Sequence, residues 1–360
     1  MKIAILGMRG IPARYGGFET FAEELSKRLA ARGHEVTVYC RERHSEATYQ
    51  GVQLTFLPTI RHKYYDTIAH TFVSTLHLLF HRQQVALYCN AANALFTLLP
   101  RMSGIPVALN VDGLERNRKK WNLLGRTWYL ISERLATFCP TVVISDAAAI
   151  QKYYSQRYGK PTTLIPYGAE TGRLATSVTP DRLGLERRKY FLYVSRLEPE
   201  NNGLLVRQSF EAVETAMKLA LIGDAPYSEA YIARVRDTRD PRIVMPGAIY
   251  GPGYQELGSH CFAYIHATEV GGTHPALIEA MGRGALVLYL NTVENSEVAG
   301  GAGIPFEADN LPAKIRDVLA MSEAERERWR GLALRRVLER YSWDAVTDSY
   351  EQLLIRIARK

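Results

Sequence analysis

Short apolar runs typical of buried strands alternate along the chain with segments of helical periodicity, and this alternation constrains the fold more than any other feature. Lys2–Leu6 and Glu35–Cys40 are predicted strands, and the apolar spacing within Phe18–Arg32 predicts a helix between them. Strands joined by helices pair in parallel and carry helices on both faces of the sheet, so we predict an α/β fold. Further strands are predicted at Val85–Cys89, Val107–Val111, Thr141–Ser145, Thr163–Pro166, Tyr190–Val194, Leu219–Ile222, Ile243–Met245, Ala263–His266 and Leu286–Tyr289.

The chain is long enough for two domains, because its 360 residues exceed a typical single core. We predict two Rossmann-like domains facing across a cleft, over residues 1–170 and 189–340. Residues 171–188 carry glycines and a proline with little periodicity and are predicted to link them. A helix over 341–360 follows, and it either crosses back to the first domain or ends the second.

Composition narrows the functional classes. A net charge of +8 favours anionic partners, whether nucleic acid, phosphorylated metabolites or an anionic membrane surface. No nucleic-acid recognition motif is present, and the four cysteines form no C-x-x-C pair, so nucleic-acid, zinc and redox functions are not expected. No apolar run is long enough to span a bilayer and no signal-peptide pattern is present, which predicts a cytoplasmic protein.

Two stretches of the first half combine basic and apolar residues, Arg61–Arg82 and Leu114–Phe138. In the second stretch six basic residues accompany two acidic ones, together with Trp121 and Trp128. Basic and aromatic residues together are typical of a membrane interface, although a solvated helix face with core aromatics has the same composition. The interface interpretation predicts a peripheral protein at the inner face of the plasma membrane.

A glycine-rich loop follows the first strand and leads into a helix. Backbone amides at Gly10, Gly16 and Gly17, together with the helix N-terminus, are suited to an anion, and Arg9 and Arg14 add positive charge. A tight turn without a ligand is the alternative.

The same loop disfavours a nicotinamide cofactor. Its spacing is not G-x-G-x-x-G, and Cys40 stands where an acidic residue normally ends the second strand. No D-x-D or clustered His and Asp residues occur, so neither a metal nor any other cofactor is expected.

Two motifs of the second half follow predicted strands. Arg196 comes just after Tyr190–Val194, where a guanidinium is able to grip a diphosphate with two parallel hydrogen bonds. Gly271, Gly272 and Thr273 precede a helix that carries Glu279, so they offer amides and a hydroxyl to phosphate. The alternatives are a surface arginine and a helix-surface carboxylate.

In this order the motifs resemble the retaining GT-B glycosyltransferases of family four, and within them a bacterial rhamnosyltransferase-like subgroup. The resemblance covers nearly the whole chain and is carried by Arg9–Pro12, Tyr15–Glu19, Asn110–Glu115, Ile165–Glu170, Arg196–Asn202, Gly223–Tyr227, Gly271–Thr273 and Glu279–Met281.

The resemblance implies sugar transfer, with retention, from a nucleotide-sugar to a hydroxyl of a growing glycan. Members of the subgroup commonly use dTDP-rhamnose and build surface polysaccharides on lipid-linked acceptors. The first domain is then the acceptor side and the second binds the nucleotide-sugar. UDP- or GDP-hexose donors, a non-catalytic sugar-nucleotide-binding protein and an NAD-dependent oxidoreductase remain as alternatives.

The resemblance also implies residue roles. Arg196 holds the diphosphate, Glu279 contacts the ribose, and Asp112 stands where many relatives have a catalytic-site histidine. Arg196 and Asp112 are therefore the predicted catalytic residues. The predicted donor contacts come from Gly16, Gly17, Arg196, Gly271, Gly272, Thr273, His274 and Glu279.

The chain departs from the family pattern at two positions that bear on the donor. Asn201 replaces a lysine that often accompanies the arginine. Gly271 stands eight residues before Glu279, where the pattern has a glutamate, and Glu269 is displaced by two. These departures leave the donor sugar open.

Overall fold

The computed structural model describes residues 1–13, 16–62, 65–119, 121–225 and 228–359. The chain forms two compact units: unit 1 contains Met1–Tyr167 and Trp343–Lys360, and unit 2 contains Gly168–Ser342. Each unit is built on a mainly parallel sheet with helical connections, which confirms the predicted α/β fold. Several residues quoted from the sequence motifs lie outside the described part, namely Arg14, Tyr15, Lys120, Pro226 and Tyr227.

Within the described residues, unit 1 contains a sheet of eight strands in the order β3-β4-β2-β1-β5-β6-β7-β8. All neighbours pair in parallel except β3 and β4, a short antiparallel pair at the edge that the periodicity did not predict. The strands are β1 (Lys2–Leu6), β2 (Glu35–Cys40), β3 (Thr48–Tyr49), β4 (Val52–Phe56), β5 (Val85–Cys89), β6 (Val107–Asn110), β7 (Val142–Ser145) and β8 (Thr163–Leu164).

The helices of unit 1 connect these strands. Between β5 and β6 the chain is helical, but residues Ala91–Thr97 form a 3₁₀-helix before the α-helix begins. There the Asn90 side chain accepts the Ala92 N–H, and the buried Asn93 side chain binds backbone carbonyls instead of facing solvent. The helices are α1 (Gly17–Ala31), α2 (Asp66–Phe80), α3 (Leu98–Met102), α4 (Leu123–Ala136) and α5 (Ala148–Tyr158).

Unit 2 contains, in its described residues, a six-stranded parallel sheet in the order β11-β10-β9-β12-β13-β14. The strands are β9 (Tyr190–Val194), β10 (Lys218–Ile222), β11 (Ile243–Gly247), β12 (Ala263–His266), β13 (Leu286–Leu290) and β14 (Ile304–Phe306). The helices are α6 (Val178–Arg182), α7 (Gly203–Glu211), α8 (Glu229–Arg236), α9 (Gly251–His260), α10 (Pro275–Gly282), α11 (Val293–Ala299), α12 (Leu311–Ala320) and α13 (Glu323–Arg340).

The last helix, α14 (Trp343–Ala358), crosses back and belongs to unit 1. Its Tyr350 ring lies 5.1 Å from the Phe21 ring of α1, and the Arg28 guanidinium lies 5.3 Å from the Trp343 ring. In the described part of the chain, no helix combines the length and the apolarity needed to cross a bilayer.

Glu351 of α14 forms ion pairs and hydrogen bonds with the residues that follow α1. Its carboxylate lies 2.6 Å from both Arg32 Nη1 and His34 Nε2, and these hydrogen bonds lower its pKa. A carboxyl with a lowered folded-state pKa stabilises the fold above its unfolded pKa and loses that contribution as the pH falls.

We therefore expect Glu351→Gln to lower the free energy of unfolding by about 1 kcal/mol at neutral pH. The difference from the unmodified protein should shrink as the pH falls below the ordinary carboxyl value of 4.5. Urea titrations over a pH series measure this, with Glu46→Gln, an exposed carboxylate of the same unit, as the control. A constant difference across the series would contradict the role of the Glu351 charge.

Candidate functional site

In unit 1 the glycine-rich loop leaves the carboxyl end of β1, which pairs with β2 on one side and β5 on the other. Gly7 has φ of +96°, and a Cβ there would lie 2.4 Å from the Cys89 carbonyl oxygen, so the close approach requires glycine. The Asn93 side chain donates to the carbonyls of both Gly7 and Cys89. This loop therefore starts at a topological switch point, where parallel sheets usually bind ligands.

Two carboxylates of α1 hold the loop in place. Glu19 accepts the Arg9 N–H at 2.9 Å, and Glu23 accepts the Ala13 N–H at 2.6 Å. Gly16 is the N-cap of α1 and Gly17 its first residue, so the loop leads into a helix as predicted. Two backbone N–H groups of the loop are thus already hydrogen-bonded within unit 1. A donor contact by Gly16 and Gly17 stays a prediction.

Asp112 follows β6 in the left-handed region, with φ of +57°. Its N–H donates to Asn110 Oδ1 at 3.0 Å. Burial, and then the nearby Glu115 carboxylate, raise the pKa of Asp112, while Arg118 opposes the shift. A carboxyl in this setting holds its proton more readily than an exposed one, so it is suited to hydrogen bonding.

The support for Asp112 reaches to the last helix. Asn110 Nδ2 donates to the Tyr350 hydroxyl of α14 at 2.9 Å, while Asn110 Oδ1 accepts the Asp112 N–H. One buried amide therefore connects α14 to the turn that presents Asp112. The sequence contains no local signal for this contact, because Asn110 and Tyr350 are 240 residues apart.

In unit 2 the loops after β9 and β12 meet, because these strands are neighbours in the sheet. Asn202 Nδ2 donates to the Ala267 carbonyl and to Glu269 Oε1, each at 3.0 Å. The Glu269 N–H donates to the Glu200 carbonyl at 2.9 Å. The structure thus joins the loop that carries Arg196 to the loop that contains Gly271 and Gly272.

Arg196 is partly exposed at this edge. Its Nη2 lies 3.8 Å from the buried Glu198 carboxylate, and its carbonyl accepts a 2.7 Å hydrogen bond from Asn201 Nδ2. Asn201, which stands where the resembled glycosyltransferase pattern often has a lysine, therefore holds the backbone that bears the guanidinium. Asn201 therefore helps to position Arg196, whereas a lysine there would add a second positive charge.

The loop after β12 closes tightly on His274. A Cβ at Gly271 would lie 2.1 Å from His274 Nε2, so the imidazole fills the space that a side chain at Gly271 would need. This is the position at which the family pattern has a glutamate. Gly272, Thr273 and His274 are all buried in unit 2.

A buried amide determines the protonation of His274. Asn295 Nδ2 donates to the carbonyls of Thr268 and Leu290, so its Oδ1 accepts from His274 Nδ1, 2.5 Å away. His266 Nε2 lies 2.9 Å from the same Nδ1. Burial, reinforced by His274, lowers the pKa of His266 and keeps that ring neutral. The proton of His274 is therefore on Nδ1, and this N–H points toward Asn295 in the interior of unit 2.

Glu279 lies one turn into α10, as predicted, and accepts a 2.6 Å hydrogen bond from the Tyr254 hydroxyl of α9. Burial, together with this carboxylate, raises the pKa of Tyr254 well above its ordinary value, so the phenol stays a donor. No sequence motif points to Tyr254, because only tertiary packing brings it to Glu279. Among the described side chains, no cluster of three or more His, Cys, Asp or Glu residues is arranged to hold a metal ion.

Comparison with known proteins supports the architecture. A family model described as a domain of unknown function (DUF1972) matches residues 1–170. No curated protein matches the chain. The structure of Anabaena HepE in complex with UDP and glucose is similar with a TM-score of 0.80 and 16% identity, covering 99% of this chain and 100% of that chain.

Two further solved structures are similar over almost the whole chain. Sucrose-phosphate synthase from Thermosynechococcus elongatus has a TM-score of 0.79 and 17% identity, and 98% of each chain is covered. WaaG, a glycosyltransferase involved in lipopolysaccharide biosynthesis, has a TM-score of 0.75 and 15% identity, covering 98% of this chain and 99% of that chain. The chain has the fold of these proteins, which confirms the expected GT-B fold.

Tyr254 provides a test of the Glu279 position. Since Glu279 is predicted to contact the ribose of a nucleotide-sugar, we expect Tyr254→Phe to weaken dTDP binding by roughly tenfold, because a hydrogen bond to a charged group is lost and the carboxylate is less constrained. Tyr190→Phe is the matched control, since Tyr190 donates to the Leu257 carbonyl in the same unit. Calorimetric titration with dTDP should separate the variants, and equal losses in both would assign Tyr254 a purely structural role.

Proposed function

We propose that the chain is a retaining glycosyltransferase that moves a sugar from a nucleotide-sugar to a glycan hydroxyl. The observation that carries the proposal is in unit 2: the loops of Arg196 and of Gly271–Thr273 are hydrogen-bonded together at the β9–β12 switch point, beside a helix that bears Glu279. The similarity in fold to HepE, a protein solved with UDP and glucose, supports it.

The donor site is proposed to act by charge stabilisation. Arg196 grips the diphosphate and neutralises the negative charge that develops as the sugar leaves. The amides of Gly271–Thr273, at the start of α10, supply further donors without a metal ion. Glu279, held by Tyr254, accepts hydrogen bonds from the ribose hydroxyls.

Retention is proposed to proceed on one face of the sugar. The acceptor oxygen forms its bond to the anomeric carbon on the side from which the diphosphate departs. A diphosphate oxygen takes the acceptor proton, so the products are the glycoside and the protonated nucleoside diphosphate. No enzyme nucleophile is required, and positioning and charge stabilisation supply the rate enhancement.

Asp112 is the proposed catalytic group of unit 1. Its raised pKa and its support through Asn110 suit a carboxyl that orients a sugar or acceptor hydroxyl by hydrogen bonding. The proposed donor is dTDP-rhamnose, with UDP- and GDP-hexoses as the other candidates. The proposed acceptor is a lipid-linked glycan of a surface polysaccharide, used by a peripheral protein at the inner face of the plasma membrane.

A panel of nucleotide-sugars tests the activity directly. We expect dTDP-rhamnose to protect the protein best against heat and to release nucleoside diphosphate faster than UDP-glucose, UDP-N-acetylglucosamine or GDP-mannose. Protection without turnover would indicate a binding protein, and protection by NAD alone would indicate an oxidoreductase. Turnover of another nucleotide-sugar would support the glycosyltransferase activity and replace dTDP-rhamnose as the proposed donor.

Arg196→Ala should reduce turnover by at least about 100-fold, since removal of one preorganised donor typically costs that much. Arg196→Lys should recover only part of the rate, because a lysine cannot form the bidentate contact. Arg239→Ala removes an exposed arginine from the same unit and should leave the rate unchanged. Near-normal turnover by the Arg196→Ala variant would remove this residue from the site.

A further inference from the structure

Helix α2 is amphipathic in the reverse of the usual sense. Four of the five buried residues of this helix are polar, and the fifth is Leu78, whereas Phe72, Leu76 and Phe80 form an exposed i, i+4 stripe; the polar four are His70, Thr71, Ser74 and Thr75. Of the three buried hydroxyl groups on α2, only that of Thr75 has hydrogen-bond partners among the described residues. They are the Thr71 carbonyl and the Tyr88 hydroxyl. Thr71 Oγ1 and Ser74 Oγ have no hydrogen-bond partner among the described residues. A surface helix in water normally turns its apolar residues toward the core and its polar residues toward the solvent.

Exposed apolar residues also occur on α3, which packs against α2, and on α4 of the same unit. Arg82, just after α2, donates to the Ser103 carbonyl just after α3, and Arg101 of α3 donates to the carbonyls that follow α4. Phe80 is 85% exposed, Met102 76% and Leu123 81%. We define the apolar face of unit 1 by the exposed residues Phe72, Leu76, Phe80, Met102, Leu123 and Ile131.

The charges on this face have one sign. Residues 65–104 and 121–139 contain only two carboxylates, Asp66 and Glu133. Asp66 pairs with Arg41, and the buried Glu133 pairs with Arg116. Four arginines in the same two segments, all exposed, are Arg82, Arg101, Arg126 and Arg134.

We propose that the apolar face of unit 1 docks onto an anionic lipid bilayer, with the four arginines at the headgroups and the apolar side chains among the upper acyl chains. This deepens the peripheral location in the proposed function, and it assigns that location to specific residues. Aromatic and aliphatic groups gain by leaving water, and arginines gain from anionic headgroups.

A second copy of the chain fits this face less well. A symmetric pair would bring the same arginines of both copies together with no exposed carboxylate to neutralise them. An anionic bilayer supplies the opposite charge across a broad surface. Charge complementarity therefore favours lipid as the occupant.

Vesicle co-sedimentation with the full chain tests this without any need for activity. The vesicles are pure phosphatidylcholine, or phosphatidylcholine with about one-third phosphatidylglycerol. We expect binding to the anionic vesicles that weakens with added salt, and much weaker binding to the neutral ones. Phe72→Ser with Phe80→Ser should weaken binding at least about tenfold, because two exposed rings are removed.

Matched controls separate the face from general effects. Val293→Ser and Leu338→Ser remove exposed apolar residues of unit 2 and should bind like the unmodified protein. Arg126→Gln with Arg134→Gln should weaken anionic binding, by roughly fivefold per arginine, whereas Arg239→Gln should not.

Three outcomes would overturn the proposal. They are no binding of the unmodified protein to anionic vesicles, equal binding by the Phe72 and Phe80 double variant, and self-association that this double variant abolishes. Binding of dTDP, UDP and GDP, measured on the same preparations, reports on unit 2. If none of the three is bound but anionic vesicles are, the proposed glycosyltransferase fails while the membrane face stands. If one of them is bound but vesicles are not, the membrane face fails while the proposed glycosyltransferase stands.

Discussion

Parallel pairing of strands is the constraint on which the rest of this structure depends. Each helical crossover returns the chain to the same edge of its own sheet, so the loops after β1 and β6 leave one edge in unit 1, and the loops after β9 and β12 leave one edge in unit 2. In unit 2, β9 pairs directly with β12, and the arginine loop therefore meets the glycine loop. No separate interaction has to be invoked to gather these residues.

Buried side-chain amides then determine how the loops are held. Asn110 connects the turn of Asp112 to Tyr350 of α14, and Asn295 directs the N–H of His274 into unit 2. An amide has donors and acceptors in fixed geometry, and a buried one must satisfy both. Such residues fix the positions of the side chains and turns around a site through hydrogen bonds within the protein. They also explain why a helix at the far end of the chain matters to unit 1.

The surface of unit 1 contrasts with these polar interiors. Along α2, hydroxyls and an imidazole face inward, and burial, with Arg41 nearby, lowers the pKa of His70 to about 4, so the imidazole is neutral at physiological pH. Phenylalanines face outward on the same helix. The proposed docking onto an anionic bilayer would account both for the exposed apolar residues of α2 and for the net positive charge of the chain.

The amino-acid sequence by itself determined the α/β alternation, most strand positions and the motifs around Arg196 and Glu279, because these depend on local periodicity and short spacing. It did not determine the edge strands β3 and β4 or the 3₁₀-helix that begins at Ala91, where long-range pairing and buried polar contacts outweigh local preference. Only the tertiary structure decided that α14 joins unit 1, that Tyr254 reaches Glu279, and that α2 turns its apolar side outward. Each of these depends on residues far apart in sequence, whose contacts leave no periodic trace in the chain.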